Sequence, residues 1–487
     1  MAIIDVRNLS FAYDGSARPV FSDVSFRMDT DWKLGFCGRN GRGKTTFLRL
    51  LCGELEYSGS ITASVAFEYF PPRVENQDAA AGEVMARLAP EAELWALQRE
   101  AARLALDEEA LARPFCELSD GERTKALLAA LFLRSGAFPL IDEPTNHLDM
   151  AGREVVARYL REKPGFILVS HDRRFLDDCV DHVLSINKEN IEIARGNFSQ
   201  WAAQKALRDE SELARNRDLL GEIDRLKKSA RQRGEWAGRA EKEKKGAGDK
   251  GFMGAKAARM MKKSKIIERR AEKSIDEKSR LLRDVETAFP LELKTQAVRA
   301  RRLVELDDVA VGYGGREVLR GLSLRVEPGE RLALLGGNGS GKSSALRLIC
   351  EGLKPLRGRV SVAGEIVVSY VPQDASFLCG PLADYAESRG ADMTLLFSML
   401  NKLDFSRDLF GRDMRGYSAG QKKKALLALS LCERAGLYVW DEPLNYVDVI
   451  SRMQIEDLIL EYGPSMIFVE HDREFCERVA TRTMRLG

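Results

Sequence analysis

Two hydrophobic patterns alternate along the chain. The first is a continuous apolar run of about four residues, as at residues 34–37 and 332–335, which is typical of a strand buried in a parallel sheet. Each of these runs leads into a glycine-rich loop and then into an apolar helical segment. The pattern therefore predicts two strand–loop–helix units.

The second pattern fills residues 201–302, where Ala, Leu, Glu, Lys and Arg dominate and no proline occurs before Pro290. Apolar residues at helical spacing form an outgoing and a returning seam. These seams are Leu213, Leu220, Ile223 and Leu226, and then Ile267, Ala271, Ile275, Leu282 and Val285. Glycines cluster at residues 246–254, where we expect the chain to turn back. The pattern predicts a long antiparallel helical linker of the coiled-coil type.

The glycine-rich loops at residues 38–45 and 336–343 both match the phosphate-binding P-loop pattern. In such a loop, backbone N–H groups surround phosphate oxygens and the following helix adds its positive N-terminal dipole. The residues that we assign to nucleotide binding are Gly38, Asn40, Gly41, Gly43, Lys44, Thr45 and Thr46 in the first loop, and Gly336, Asn338, Gly339, Gly341, Lys342, Ser343 and Ser344 in the second. We expect the lysines to reach the terminal phosphates and the hydroxyls of Thr45 and Ser343 to bind Mg²⁺.

Further segments repeat at a nearly constant spacing of about 300 residues, which makes the chain a duplicated cassette. The repeated pairs are residues 118–122 with 417–421, residues 141–149 with 440–448, and residues 170–173 with 470–473. Asp142 and Asp441 end apolar strands, where a carboxylate can hold Mg²⁺. Glu143 and Glu442 follow directly and are expected to orient or deprotonate the attacking water.

This ordered set resembles the ABC ATPase family, in which P-loop, Q-loop, signature segment, Walker B strand and switch histidine follow one another. The resemblance implies an α/β fold with two tandem ABC-type nucleotide-binding domains that pair head to tail around two ATP molecules. It places His171 and His471 near the γ-phosphate as catalytic residues beside Glu143 and Glu442. It also implies that Tyr13 and Tyr313 stack on adenine; the alternative for either tyrosine is a half-buried strand residue.

Each ATP is then expected to lie on one P-loop and under the signature of the other cassette. Site one joins Lys44, Thr45, Asp142, Glu143 and His171 with Ser418, Gly420 and Gln421. Site two joins Lys342, Ser343, Gln373, Asp441, Glu442 and His471 with Ser119, Gly121 and Glu122. The expected Mg²⁺ ligands are Thr45, Asp142, Ser343, Gln373 and Asp441.

Two residues depart from the family pattern. Pro72 stands where the second cassette has the Q-loop glutamine, Gln373, and Asp120 stands where the signature usually has glycine. We expect ATP to bind at both sites and to turn over slowly.

Positive charge is concentrated in the linker, where residues 225–270 hold 17 basic and 5 acidic side chains. Aromatic and methionine side chains are interleaved with this charge. A basic tip with exposed aromatic rings suits RNA, because cations neutralise phosphates and bases stack on rings. The alternative is a solvated helix face with packed aromatics. The tip residues that we assign to RNA or the drug site are Trp236, Lys250, Phe252, Met253, Lys262, Lys263 and Lys265.

Tandem cassettes, a charged linker and the absence of any run of eighteen apolar residues resemble the ABC-F group, whose members act on the ribosome. The short interval between Pro72 and the first signature, the end of the chain at Gly487, and residues 441–446 resemble its antibiotic-resistance branch, above all the Lsa-type proteins. That branch implies binding at the ribosomal exit site in the ATP state. The linker tip then displaces lincosamide, pleuromutilin or streptogramin A drugs at the peptidyl-transferase centre.

The expected partners are rRNA near that centre and the exit site, with tRNA as a further candidate, and neither DNA nor a membrane. We expect a cytoplasmic protein, since the eight cysteines form no CxxC pair and the N-terminus has no signal-peptide pattern. Pairing of the two cassettes within one chain makes a monomer the expected state. The expected domains are residues 1–200, 201–302 (tip about 234–262) and 303–487. Two alternatives remain open, a housekeeping ABC-F translation factor for stalled ribosomes and the ATPase subunit of an exporter.

Overall fold

The computed structural model describes residues 2–15, 19–146, 148–186, 191–243, 293–314, 316–403 and 405–486. The chain divides into two compact units, one formed by Met1–Trp201 and Phe289–Gly487 and the other by Ala202–Ala288. The first unit holds two copies of an α/β cassette, which we call cassette one and cassette two, in agreement with the predicted duplication.

Cassette one combines a small antiparallel sheet of order β2-β1-β4 with a larger, mainly parallel sheet of order β5-β6-β7-β3-β8-β9. Its strands are β1 Ile3–Phe11, β2 Phe21–Asp29, β3 Lys33–Cys37, β4 Ser58–Thr62, β5 Ala66–Phe70, β6 Ala137–Asp142, β7 Phe166–Val169, β8 His182–Ile186 and β9 Ile191–Arg195. Its helices are α1 Lys44–Leu51, α2 Ala81–Leu88, α3 Leu94–Arg103, α4 Glu108–Ala112, α5 Asp120–Leu131, α6 Met150–Arg161 and α7 Arg173–Cys179.

Cassette two repeats this arrangement, with an antiparallel sheet of order β11-β10-β13 and a parallel sheet of order β14-β15-β16-β12-β17. Its strands are β10 Val304–Tyr313, β11 Arg316–Val326, β12 Arg331–Leu335, β13 Arg357–Val362, β14 Val368–Val371, β15 Leu437–Asp441, β16 Met466–Val469 and β17 Arg482–Arg485. Its helices are α9 Lys342–Cys350, α10 Leu382–Ser388, α11 Met393–Lys402, α12 Ala419–Cys432, α13 Val449–Tyr462 and α14 Arg473–Val479.

The linker begins with α8, a continuous helix of 46 residues over Phe198–Glu243, which is about 70 Å long at 1.5 Å per residue. Within the predicted outgoing seam, Ile223 is buried and Leu220 is exposed. The predicted turn and return half lie outside the described residues, as do Lys250, Phe252, Met253, Lys262, Lys263 and Lys265. Trp236 lies on α8, but its side chain is not described. None of the helices in the described ranges is both long enough and apolar enough to cross a membrane.

The central strands are the apolar runs of the sequence. Every residue of β7, β15 and β16 is buried, because helices cover both faces of a parallel sheet. Trp440 on β15 is among the largest fully buried side chains, and its indole N–H donates to the Ser430 hydroxyl of α12 at 3.0 Å. The Walker B carboxylates, Asp142 and Asp441, therefore end rigid strands.

The helices that follow the motifs begin at the same kinds of cap in both cassettes. Ser119 and Ser418 each form a reciprocal capping box, with Glu122 and Gln421 respectively. Aspartates open the two helices downstream, with side chains that accept bonds from backbone N–H groups two or three residues into the helix. These aspartates are Asp149 and Asp172 in cassette one and Asp448 and Asp472 in cassette two.

Candidate active sites

Each P-loop joins the end of a buried strand to the start of a helix, as the sequence predicts. Gly43, the residue before α1, has a φ of +95°, and an added Cβ would lie 2.5 Å from a methyl group of Val20. Only glycine fits this combination of backbone angle and space. The ammonium of Lys44 donates to the carbonyl of Gly38 at 2.7 Å, and that of Lys342 donates to the carbonyl of Gly336 at 2.8 Å. Both lysines therefore lie over their own loops, where a phosphate would sit.

Hydroxyl and carboxylate oxygens meet beside each P-loop. The Thr45 hydroxyl donates to a carboxylate oxygen of Asp142 at 3.0 Å, and Ser343 likewise hydrogen-bonds Asp441. Burial raises the pKa of Asp441, whose Oδ1 has no hydrogen-bond partner among the described residues. Such hard oxygen ligands, one of them buried and unsatisfied, fit the Mg²⁺ that accompanies nucleotides. When bound, Mg²⁺ neutralises charge on the phosphates.

The two glutamates after Walker B share a strained backbone but differ in their hydrogen bonds. Glu143 and Glu442 have φ angles of +52° and +48°, in a left-handed region that non-glycine residues seldom adopt. In both cassettes the switch histidine places its Nε2 3.2 Å from the glutamate, His171 from Glu143 and His471 from Glu442. The structure therefore brings together all four residues predicted to be catalytic, as one pair in each cassette.

Glu442 is held by several donors. His471 hydrogen-bonds one oxygen, the Asn445 amide donates to the other at 2.8 Å, and the Gln373 side chain also hydrogen-bonds the carboxylate. Burial acts to raise the pKa of Glu442, but these hydrogen bonds and the attraction of His471 hold it at about 2. This carboxylate is therefore both ionised and fixed in orientation.

Glu143 has fewer partners. His171 contacts it through Nε2 and through its backbone, but no side-chain amide among the described residues donates to it, because Pro72 replaces the glutamine and Asn146, the equivalent of Asn445, makes no hydrogen bond to it. Burial, followed by repulsion from Asp142, raises the pKa of Glu143 to about 8. Burial and then the positive charge of Lys44 lower the pKa of His171 well below its usual value. The two sites are thus electrostatically different.

Tyr13 and Tyr313 keep exposed rings beside the P-loop helices. Their exposed fractions are 46% and 44%, and their hydroxyls hydrogen-bond Thr46 at 2.9 Å and Ser344 at 3.3 Å. An exposed ring anchored through its hydroxyl leaves a face free for a base, so adenine stacking stays our proposal for both.

Contacts cross between the cassettes at both P-loops. The Asn40 amide donates to the carbonyl of Tyr446, which follows Walker B of cassette two, at 2.6 Å. Tyr446 in turn packs against the second signature, since a Cβ added to Gly420 would lie 3.0 Å from its Cβ. On the other side, Asp149 of cassette one lines a cavity of about 310 Å³ with Lys342 and His471. These contacts are consistent with the head-to-tail pairing that the resemblance implies.

Asp120 was expected to face site two, across the interface. In the structure it lines a cavity of about 430 Å³ together with Thr45, Asp142 and Glu143 of its own cassette. Its carboxylate pairs with Arg123 one helical turn along α5, at 3.2 Å. Arg123 therefore partly neutralises the negative charge of Asp120, which we had expected to lie near a triphosphate.

The ABC transporter family model matches residues 21–146 and 319–445 of the chain, about half of its length and one segment in each cassette. The chain belongs to the ABC transporter family. It is an ATP hydrolase with two ABC-type nucleotide-binding domains.

Relatives of this family member match nearly the whole chain. It is 26% identical to the probable ATP-binding protein YheS of Escherichia coli O6:H1, over 94% of this chain and 74% of that protein. It is 27% identical to the ribosome protection protein VmlR of Bacillus subtilis, over 98% of this chain and 85% of VmlR. A crystal structure of archaeal ribosome recycling factor aABCE1 with stalk protein aP1 superposes with a TM-score of 0.66 at 20% identity, covering 98% of this chain and 87% of that one. The first two similarities support the ABC-F type, and the third shows the tandem fold.

Several residues at the two sites of this ABC protein were not predicted from sequence. The Tyr69 hydroxyl donates to Asp142 at 2.8 Å, and Asn445 and Lys423 contact the loop around Glu442. Tyr69 lies three residues before Pro72, and Asn445 lies within the repeated segment at residues 440–448, so the sequence placed both close to the sites. The position of Lys423 in the site could not be predicted from sequence, because a lysine on a helix is usually exposed to solvent.

The missing glutamine of cassette one yields a prediction. We expect Pro72→Gln to raise turnover at site one about threefold, since it would supply one hydrogen bond to Glu143, worth roughly 0.7 kcal/mol net. Phosphate release measured in a Glu442→Gln background reports on site one. Pro72→Ala is the matched control, because it removes the ring without adding an amide. Equal rates for the two variants would show that the departure at Pro72 is neutral.

Proposed function

We propose that this ABC-F ATPase binds the ribosome and confers antibiotic resistance by ribosomal protection. The observation that carries the proposal is the pairing of two ATP sites through Asn40 and Tyr446 in a chain whose intervening segment is strongly basic. A paired ATPase of this kind can change shape with nucleotide and move a linker. The similarity to VmlR, which is named for ribosome protection, supports this choice of target.

In the proposed cycle, two ATP molecules with Mg²⁺ close the cassettes, and the closed form occupies the ribosomal exit site. The signature residues of each cassette, with Ser418 and Ser119 at their helix caps, then complete the opposite site. Glu442 and Glu143 orient the attacking water, and hydrolysis releases the protein. The two cassettes pair within one cytoplasmic monomer.

The linker is proposed to reach toward the peptidyl-transferase centre. Its 17 basic side chains at residues 225–270 would contact rRNA phosphates, and Trp236 and Phe252 would stack on bases or approach the drug. The drug classes proposed are lincosamides, pleuromutilins and streptogramin A. No role with DNA or a membrane is proposed.

The test is a drug-susceptibility panel in a sensitive host with and without the protein, combined with co-sedimentation with ribosomes. We expect protection, and we expect Lys262→Glu, Lys263→Glu and Lys265→Glu together to abolish it and weaken binding. Each phosphate contact contributes about 0.9 to the slope of log affinity against log salt in duplex nucleic acid, so the slope should fall by about two or three.

The matched control reverses Arg225, Lys227 and Lys228, which make the same change in net charge near the start of the basic segment on α8. This variant should retain more of the binding. Ribosome binding without protection against any drug would favour the housekeeping translation factor, to which the similarity with YheS is equally open. Sedimentation with membranes and not with ribosomes would favour an exporter subunit.

A further inference from the structure

A lysine ammonium is buried behind site two. Lys423 lies on α12 with only 3% of its surface exposed. Its Nζ donates to the backbone carbonyl of Pro372 at 2.7 Å and to that of Asp441 at 3.1 Å. Lysine is almost never fully buried unless its charge is paired, so two main-chain acceptors at such short range indicate a specific role.

Each of these two carbonyls belongs to the residue directly before a residue of site two. Pro372 directly precedes Gln373, and Asp441 directly precedes Glu442. The side chains of Gln373 and Glu442 are themselves hydrogen-bonded to each other. One ammonium therefore ties together the peptide units from which both members of this pair extend.

Cassette one lacks this arrangement. The residue equivalent to Lys423 is Thr124, whose hydroxyl donates to the carbonyl of Asp120 within its own helix at 2.9 Å. Pro72 stands where the glutamine would be, and no side-chain amide among the described residues donates to Glu143. The lysine and the ordered glutamine–glutamate pair thus occur together in one cassette and are both missing from the other.

The lysine also connects this pair to the signature segment. α12 begins directly after its cap Ser418, and Lys423 lies about one and a half turns further along the same helix. A movement of α12 would therefore displace Lys423 and, through its hydrogen bonds, the carbonyls of Pro372 and Asp441. Gly420, on the first turn, packs against Tyr446, which bonds Asn40 of the opposite P-loop.

We infer that Lys423 is a positioning residue for hydrolysis at site two, which sets the Gln373–Glu442 pair and links it to the signature helix that faces site one. This inference rests on the proposed role of Glu442. The hydrogen bonds of the Lys423 ammonium go to backbone carbonyls, so its proposed effect on hydrolysis is indirect.

The test replaces Lys423 with methionine, which keeps the length of the side chain and removes the ammonium. In a Glu143→Gln background, where turnover comes from site two, kcat should fall about tenfold, because small displacements of catalytic groups are costly. The ATP concentration for half-saturation should stay unchanged. Lys422→Met is the matched control, since the neighbouring Lys422 has only a 3.4 Å contact with the carbonyl of Ser376. It should leave both parameters unchanged.

A double-mutant cycle with Gln373→Ala separates positioning from general destabilisation. If Lys423 acts through Gln373, its loss should cost clearly less in the Gln373→Ala background, whereas a purely structural role predicts the same factor in both. Lys423→Gln, which keeps one donor, replaces the methionine variant if the latter does not fold.

An unchanged kcat in Lys423→Met, or an equal loss in both backgrounds, would overturn the inference. Glu442→Gln distinguishes this failure from failure of the site itself. If Glu442→Gln keeps full turnover in the Glu143→Gln background, the assignment of Glu442 is wrong. If Glu442→Gln abolishes turnover there, only the role inferred for Lys423 is wrong.

Discussion

Glu442→Gln should lower steady-state ATP hydrolysis about 100-fold, whereas Glu143→Gln should leave most of the activity. General acid–base groups contribute about 100-fold to 10,000-fold, and the carboxylate best placed for this work is Glu442, with His471, Gln373 and Asn445 around it. Glu143 has His171 beside it but lacks the two side-chain amides that hold Glu442, since Pro72 replaces the glutamine and Asn146 makes no hydrogen bond to it. The measurement is phosphate release at saturating ATP and Mg²⁺.

The two single variants serve as matched controls for each other, since they make the same chemical change at equivalent positions. Both should still bind a fluorescent ATP analogue with wild-type affinity, because neither glutamate lies on a P-loop. The double variant should bind ATP and not hydrolyse it. Equal losses in the two single variants would show that the hydrogen bonds of Glu442 do not determine which site is faster.

The local structure around the motifs could be predicted from sequence because each motif has its own backbone requirement. The apolar runs at residues 34–37 and 332–335 form all but the first residue of β3 and β12, and Lys44 and Lys342 begin α1 and α9. The contacts of buried side chains that pack behind the sites could not be predicted. That a charged Lys423 is buried depends on which carbonyls α12 meets after folding, and a sequence pattern does not contain this.

The differences between the two sites also include one that was predictable from sequence and one that depends on tertiary packing. The replacement of glutamine by Pro72 was visible when the two repeats are compared, and the structure adds its consequence, a buried Glu143 without an amide partner and with a pKa raised to about 8. That Asp120 lines a cavity with Thr45, Asp142 and Glu143 of its own cassette was not visible, because it depends on how α5 packs against β5. The two cassettes thus differ in the amides around the glutamate after Walker B: Glu442 has two such partners, and Glu143 has none among the described residues.

A buried ion pair joins the two cassettes, and its loss should lower the free energy of unfolding more than the loss of an exposed ion pair. Arg173 on α7 pairs with Glu456 on α13; the arginine side chain is 3% exposed and the glutamate 0%. Burial raises the pKa of Glu456 even with this partner beside it. Arg473, which occupies the equivalent position in cassette two, pairs with Glu477 and is 46% exposed.

Arg173→Ala should therefore destabilise the protein by about 3 kcal/mol, because breaking a buried pair leaves an uncompensated charge. The loss should stay near the lower end of the usual range, since Arg478 still contacts Glu456 at 2.7 Å and the carboxylate can take up a proton. Arg473→Ala is the matched control and should cost less than about 1 kcal/mol, because its charges remain solvated. For a cassette of this size, 3 kcal/mol lowers the thermal midpoint by roughly 10 °C.

The double variant Arg173→Met with Glu456→Met separates the charge from the packing. If the cost arises from an unpaired buried carboxylate, replacing both partners by apolar side chains should recover most of the lost thermal stability, since neither charge then has to be desolvated. If the cost arises from lost packing, the double variant should be no more stable than Arg173→Ala. Equal midpoints for Arg173→Ala and Arg473→Ala would contradict the prediction, because the two arginines differ chiefly in burial.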